Sequence, residues 1–263
     1  MIAKELKANL KGFIILMAIL IGMFLFVYLI YPFIITDEAI AGMEELLKVF
    51  PEELLKAFNL DVDSLSNAYG WFKSEGGVFA LLAFAIYASI LGIGTLLKEE
   101  KEKTIDYLIS LPIKRKQILT NKIISSLIYI ISMVVIFTIF NLIALTLTSE
   151  YDIKEFLLLS VGPLLVSIPM FFLSLFISTI LKRSKGTVLI ALGLSFVFYF
   201  INLVSQLSSE VEALKYLSLF SLADVNNVMN NDTLSIWCVI ISILISALFA
   251  LLSYVTYDKK EFR

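Results

Sequence analysis

Gly12-Phe-Ile-Ile-Leu-Met-Ala-Ile-Leu-Ile-Gly-Met-Phe-Leu-Phe-Val-Tyr-Leu-Ile-Tyr-Pro-Phe-Ile-Ile35 is a run of 24 residues without a charge. A helix rises about 1.5 Å per residue, so the run reaches roughly 36 Å and crosses a hydrocarbon layer of about 30 Å with some tilt. It carries no small-residue cleavage site and is expected to be retained as a first span. Charge-poor runs recur at 76–97, 118–148, 156–181, 187–207 and 234–257. The expected fold is an all-α membrane protein, a single transmembrane domain over 1–263 with six transmembrane helices. The runs are long instead of alternating, and only 5 Pro and 11 Gly interrupt the chain, so the two-residue period of a β-barrel does not fit.

Composition agrees. The 263 residues are 59% hydrophobic with a mean hydropathy of +0.92, far more apolar than a soluble domain of this length needs. Cys238 is the single cysteine, so an intrachain disulfide and a thiolate metal cluster are both excluded.

Sidedness follows from where the charges fall. Sixteen of the 21 Lys and Arg lie before the first run, after the second, between the fourth and fifth, or after the sixth. The opposite segments hold Lys48, Lys56, Lys73, Lys154 and Lys215 together with 16 of the 23 acids. The positive-inside rule therefore places both termini in the cytoplasm of a multi-pass cell-membrane protein. Lys122 falls inside the third run but near its start, where a long basic side chain can reach the headgroups.

Residues 1–11 read as an interfacial helix, with Ile2, Leu6, Leu10 and Phe13 on one side and Lys4, Lys7 and Lys11 opposite. A basic flank that only orients the first span is the other reading. In the acidic outer segment 37–75, Ile40, Met43, Leu47, Phe50, Leu54 and Phe58 recur at helical spacing. Two short amphipathic helices would explain this, the second opened by Pro51 with Glu52 and Glu53 in its first turn. Such a segment suits a lid or vestibule, or packing that covers the helix ends. Pro163 and Pro169 predict a bend in the fourth span. Small residues from Gly76 through Ala80, Ala85, Ala88 and Ser89 to Gly92 allow a close helix approach, within the subunit or between subunits. The apolar middle of 208–233 is too short to cross and suits an excursion into the membrane and back.

Several chemistries are excluded. There is no histidine, so an imidazole base, a His-ligated metal and a Ser-His-Asp triad are unavailable. No Gly-Lys dipeptide occurs, which removes the phosphate-binding loop of an ATPase. Away from their ends the spans contain no Asp, Glu, Lys or Arg, so a relay of paired intramembrane charges has no support. Asn141, Ser174, Asn202 and Gln206 read more readily as interhelical hydrogen-bonding groups than as sites.

The connection Lys98-Glu-Glu-Lys-Glu-Lys-Thr-Ile-Asp-Tyr-Leu-Ile-Ser-Leu-Pro-Ile-Lys-Arg-Lys-Gln117 is charged first and apolar later. Ile105, Leu108, Ile109 and Leu111 or Pro112 would form one ridge on a short helix, and Pro112 would end it. Ridge and charges together make a docking element; a helix lying at the membrane with its ridge in lipid is the alternative.

In this stretch the chain resembles the permease subunit of type-2 ABC transporters. There an acidic-basic stretch, Gly-Thr, an apolar helix, Leu, Pro and a basic residue precede the third span. The matching residues are Thr104, Leu108, Leu111, Pro112, Arg115, Ile118 and Lys122. Lys103 stands where the family usually has glycine, and Asn121 where glycine often precedes the lysine. Helix count, orientation and the interfacial N-terminal helix extend the resemblance over nearly the whole chain.

The resemblance implies a permease without its own nucleotide site or cofactor. Its partners would be a second permease subunit, as homodimer or heterodimer, membrane lipid, and two cytosolic ABC ATPase subunits that bind ATP; nucleic acid is not among them. It implies that 98–117 forms a coupling helix seated on the ATPase, with Thr104, Ile105, Tyr107, Leu108, Leu111, Pro112 and Arg115 as coupling residues. It also implies re-entrant helices before the sixth span and export of an amphipathic or hydrophobic substrate such as a peptide, a lipid-like molecule or a drug. A stand-alone membrane scaffold or immunity protein that moves nothing is the competing expectation, and co-purification with an ATPase distinguishes the two.

Overall fold

A computed structural model describes residues 2–51, 55, 67–101, 115–181, 186–208 and 210–259. In chain order the helices are α1 (Ile2–Ile34), α2 (Asp37–Leu47), α3 (Ala68–Trp71), a π-helical turn (Phe72–Gly76), α4 (Gly77–Lys101), α5 (Arg115–Thr148), α6 (Ile153–Ile180) and α7 (Thr187–Ser205). Two 3₁₀ turns (Glu212–Leu217 and Leu219–Ala223), α8 (Val225–Asn231) and α9 (Ile236–Lys259) complete the order. Among the described residues, six helices are long and apolar enough to cross a membrane: α1, α3 running on through α4, α5, α6, α7 and α9. The protein is an all-helical, multi-pass membrane protein, as the apolar runs predict.

The amphipathic segment 1–11 is continuous with the first span in one helix of 33 residues. No proline interrupts it before Pro32, and its inner face is already a core face. Leu6 and Phe13 pack on the core, where Met17, Leu20, Phe24 and Tyr28 continue the same stripe. Leu10, expected on that face, is exposed, whereas Glu5 turns inward to Lys122.

The second span starts earlier than its charge-free run. Asn67 caps α3 by accepting the Gly70 N–H at 2.7 Å, and the π-helical turn carries Lys73 and Glu75 into the bundle. A π turn inside an α-helix inserts an extra residue and often lies near a functional site. Tyr69, Trp71 and Phe72 are buried there. The charges that placed this stretch in the outer segment are accommodated because Lys73 has an acidic partner on α6.

The span running from α3 through α4 is the central one, with 72% of its apolar stretch buried against 11% for α7. Gly92 is where α4 meets α6: a Cβ there would stand 2.5 Å from the Phe171 carbonyl oxygen and 2.7 Å from Ser174 Cβ. Ala80, Ala85, Ala88 and Ser89 are also buried, and the hydroxyls of Ser89 and Ser195 lie 3.2 Å apart between α4 and α7. The small-residue face is thus used inside the subunit. In lipid, apolar side chains gain little by leaving the solvent, so close packing and interhelical hydrogen bonds hold such contacts.

Helix α6 runs unbroken through Pro163 and Pro169. Pro169 has no N–H for the carbonyl of Leu165 one turn back. The Ser242 hydroxyl of α9 donates to that carbonyl at 2.9 Å, which satisfies in protein what lipid would not.

Beyond α7 the apolar middle of 208–233 folds as the two 3₁₀ turns. Leu219, Phe220, Leu222 and Ala223 of the second are buried on α6 and α7 residues. Asp224 adopts the left-handed conformation (φ 53°), tolerable for Asp because its short side chain bonds locally; its carboxylate accepts from the Ser235 N–H at 2.8 Å. On α2, Ile40, Met43 and Leu47 form the half-buried side. The Leu55 N–H bonds the Pro51 carbonyl at 3.3 Å, one helical turn on. Phe50 is exposed, and Leu54 and Phe58 lie outside the described residues.

Candidate functional site

One end of the bundle gathers the start of α5 with the start of α1 and the end of α9. Arg115 opens α5, one turn before Ile118 and Leu119, which are buried. Glu5 of α1 meets Lys122 of α5 at 2.9 Å, with the lysine side chain 3% exposed. A lysine placed there does not snorkel to the headgroups as expected, because an acid from another helix reaches it. An isolated buried charge is very costly, and a hydrogen-bonded partner offsets much of that cost. The Tyr129 hydroxyl, two turns further along α5, donates to the Leu6 carbonyl.

On the other flank of α5, Thr120 and Tyr254 share a hydroxyl hydrogen bond of 2.7 Å, and Lys116 stands 3.6 Å from Asp258. That last pair is exposed, where an ion pair contributes little. Thr179 and Thr256 join α6 to α9 at 2.6 Å. The α5 start is thus tied to α1 and α9 by three buried or half-buried hydrogen bonds.

Of the residues the sequence selects, Arg115 is placed, at this junction. Thr104, Ile105, Tyr107, Leu108, Leu111 and Pro112 lie outside the described residues. Sequence reasoning missed Glu5, Thr120 and Tyr254. A signal existed for the first: Lys122 lies within an apolar run and needs an acid, and Glu5 is the single acid of the first 36 residues.

The opposite end carries a second polar cluster. Glu155 accepts from the Tyr69 hydroxyl at 2.8 Å and from Lys73 Nζ at 3.2 Å. Lys73 also lies 5.2 Å from the centre of the Tyr69 ring, a cation–π distance. Beneath it, Phe24 packs edge-on against Trp71, Phe72 and Phe137, at 4.8 Å from the last. Tyr28 donates to the Asn141 side-chain carbonyl, so Asn141 acts as the interhelical group its position suggests.

Among the described residues no group of His, Cys, Asp and Glu is placed to hold a metal, and the polar clusters join helices. No curated protein matches the chain. The profile described as "ABC-2 family transporter protein" matches residues 2–262. With six apolar helices, and with a helix junction placed directly after the segment that carries the Leu-Pro and basic motif, the chain belongs to the ABC-2 family of transporter proteins and is an ABC transporter membrane subunit.

Proposed function

We propose that the chain is the permease subunit of an ATP-driven exporter of an amphipathic or hydrophobic substrate, a peptide, a lipid-like molecule or a drug. It pairs with a second permease subunit, identical or related. Separate cytosolic ABC ATPase subunits bind and hydrolyse the ATP, since phosphoryl transfer relies on positioned phosphate-binding groups that this sequence lacks. Both termini face the cytoplasm, in keeping with the bias of Lys and Arg. The segment 98–117 docks on the ATPase through Leu108 and Leu111, and Arg115 lies just past the docking turn.

The observation that carries this reading is the junction at the α5 start. The helix into which the docking segment runs is tied to α1 by Glu5–Lys122 and to α9 by Thr120–Tyr254, so a push on that segment reaches helices on both flanks. The test is Leu108→Ala with Leu111→Ala. A fully buried leucine contributes about 1.5 to 3 kcal/mol, and such anchors concentrate the cost of truncation. The double variant is expected to insert and express normally, bind the ATPase weakly and lose ATP-dependent transport, while Lys101→Ala changes little. Normal ATPase binding and transport by the double variant would remove this segment from the coupling role.

A further inference from the structure

At the end of the bundle that carries Lys73, a cleft of about 50 Å³ opens between α4, α5, α6 and the 3₁₀ turn Leu219–Ala223. Small residues make the space: Gly77 and Ala80 on α4, Ser160 and Gly162 on α6, and Ala223 on the turn. Thr138, Leu159 and Ser160 at its edge are partly exposed, whereas Ala80, Val134, Phe137 and Asn141 are buried at its floor. Thr138 and Ser160 belong to α5 and α6, so the cleft faces outward between these two spans.

We infer that this cleft seats a short stretch of one acyl chain of a phospholipid whose phosphate is held by Lys73. The floor suits hydrocarbon. Its one amide, Asn141, is satisfied by Tyr28 and by the Phe137 carbonyl, the latter at 2.8 Å. Nothing at that depth calls for water, and apolar cavities of this kind stay dry unless an apolar group enters. The mouth suits an anion. Lysine has three N–H donors; Glu155 takes one from Lys73, at 3.2 Å, and the Lys73 side chain remains 25% exposed. Its remaining donors are available to a phosphate oxygen. The Glu155 oxygens accept from Tyr69 and from Lys73. At about 50 Å³, smaller than the roughly 150 Å³ cavity that takes one benzene, the cleft seats only a few carbons, and the rest of that chain and the second chain lie in the surrounding bilayer. This inference stands independently of the direction of transport and of the cargo.

Native mass spectrometry of the purified full chain tests it, with dioleoyl phosphatidylglycerol, dioleoylglycerol and glycerol 3-phosphate as probes. Phosphatidylglycerol is expected to be retained at one per chain and about tenfold more tightly than dioleoylglycerol, the ratio that one charge-assisted contact supplies. Glycerol 3-phosphate, which lacks a chain, should not compete. Lys73→Gln should bring the two lipids to equal retention, Lys73→Arg should keep the preference, and Lys154→Gln, an exposed lysine at the same end, should leave it intact. Thr138→Trp and Ser160→Phe, which fill the cleft from α5 and from α6, should each lose the retained lipid without lowering the melting temperature. A preference that survives Lys73→Gln, a lipid retained in both filled variants, or an equal loss in Lys154→Gln would overturn the assignment. So would a dimer that carries no lipid where the monomer carries one, since the cleft would then belong to a subunit partner.

Discussion

Lys122 shows at the residue scale how a membrane protein accommodates a charge. Its side chain is 3% exposed and meets Glu5 at 2.9 Å. Breaking a buried pair by removing one member strands the other charge, at a cost of about 3 to 5 kcal/mol. Lys122→Ala and Glu5→Ala are each expected to lower the melting temperature of the purified protein markedly, and Glu5→Leu with Lys122→Met to recover much of the loss. A Lys122→Ala protein that melts like the parent would show that the pair contributes nothing. Ser242 is a milder case: Ser242→Ala leaves the Leu165 carbonyl opposite Pro169 without its donor. Interhelical hydrogen bonds in membranes average about 0.6 kcal/mol, so a small decrease in melting temperature is expected.

At the element scale, the approach of α4 to α6 is the contact that allows least change. Gly92 has backbone atoms of α6 within 2.9 Å of where a Cβ would stand, whereas two residues on, Gly94 has nothing within 4 Å. The two glycines share a helix and make a matched comparison. Gly92→Ala must push α4 from α6 and should cost about 1 to 3 kcal/mol, as overpacking does. Gly94→Ala should be neutral or gain up to about 1 kcal/mol from the better helix propensity of alanine. Thermal denaturation of the two variants side by side checks this; equal melting temperatures would mean that the helices yield at Gly92. Helix α7 is preceded by Gly186 at its N-cap, whose φ of 79° suits glycine over residues with a Cβ.

For the whole molecule, the proposed sidedness is open to direct labelling. In a Cys238→Ala background, Glu45→Cys on the exposed face of α2 should react with an impermeant thiol reagent in intact cells. Lys116→Cys at the start of α5 should react once the membrane is permeabilised. The reverse pattern would invert the orientation and remove the docking segment from the ATPase side. The six apolar helices, the family and the exclusion of histidine chemistry were all legible in the sequence, because hydrocarbon demands long uncharged runs and these need no knowledge of neighbours. Periodicity also put Leu6 and Phe13 on one face, which the structure continues through Met17, Leu20, Phe24 and Tyr28. What the tertiary structure alone decided is who meets whom. Lys122 and Glu5 are 117 positions apart, Tyr28 and Asn141 113, and Lys73 and Glu155 82. A helical pattern says which face turns inward but not which side chain waits there. Lys73 and Glu75 therefore read as the end of the outer segment, since a lone charge is too costly to bury. Only the arrival of Glu155 from α6 made it possible to draw that turn into the bundle, and with it the cleft that lies beside Lys73.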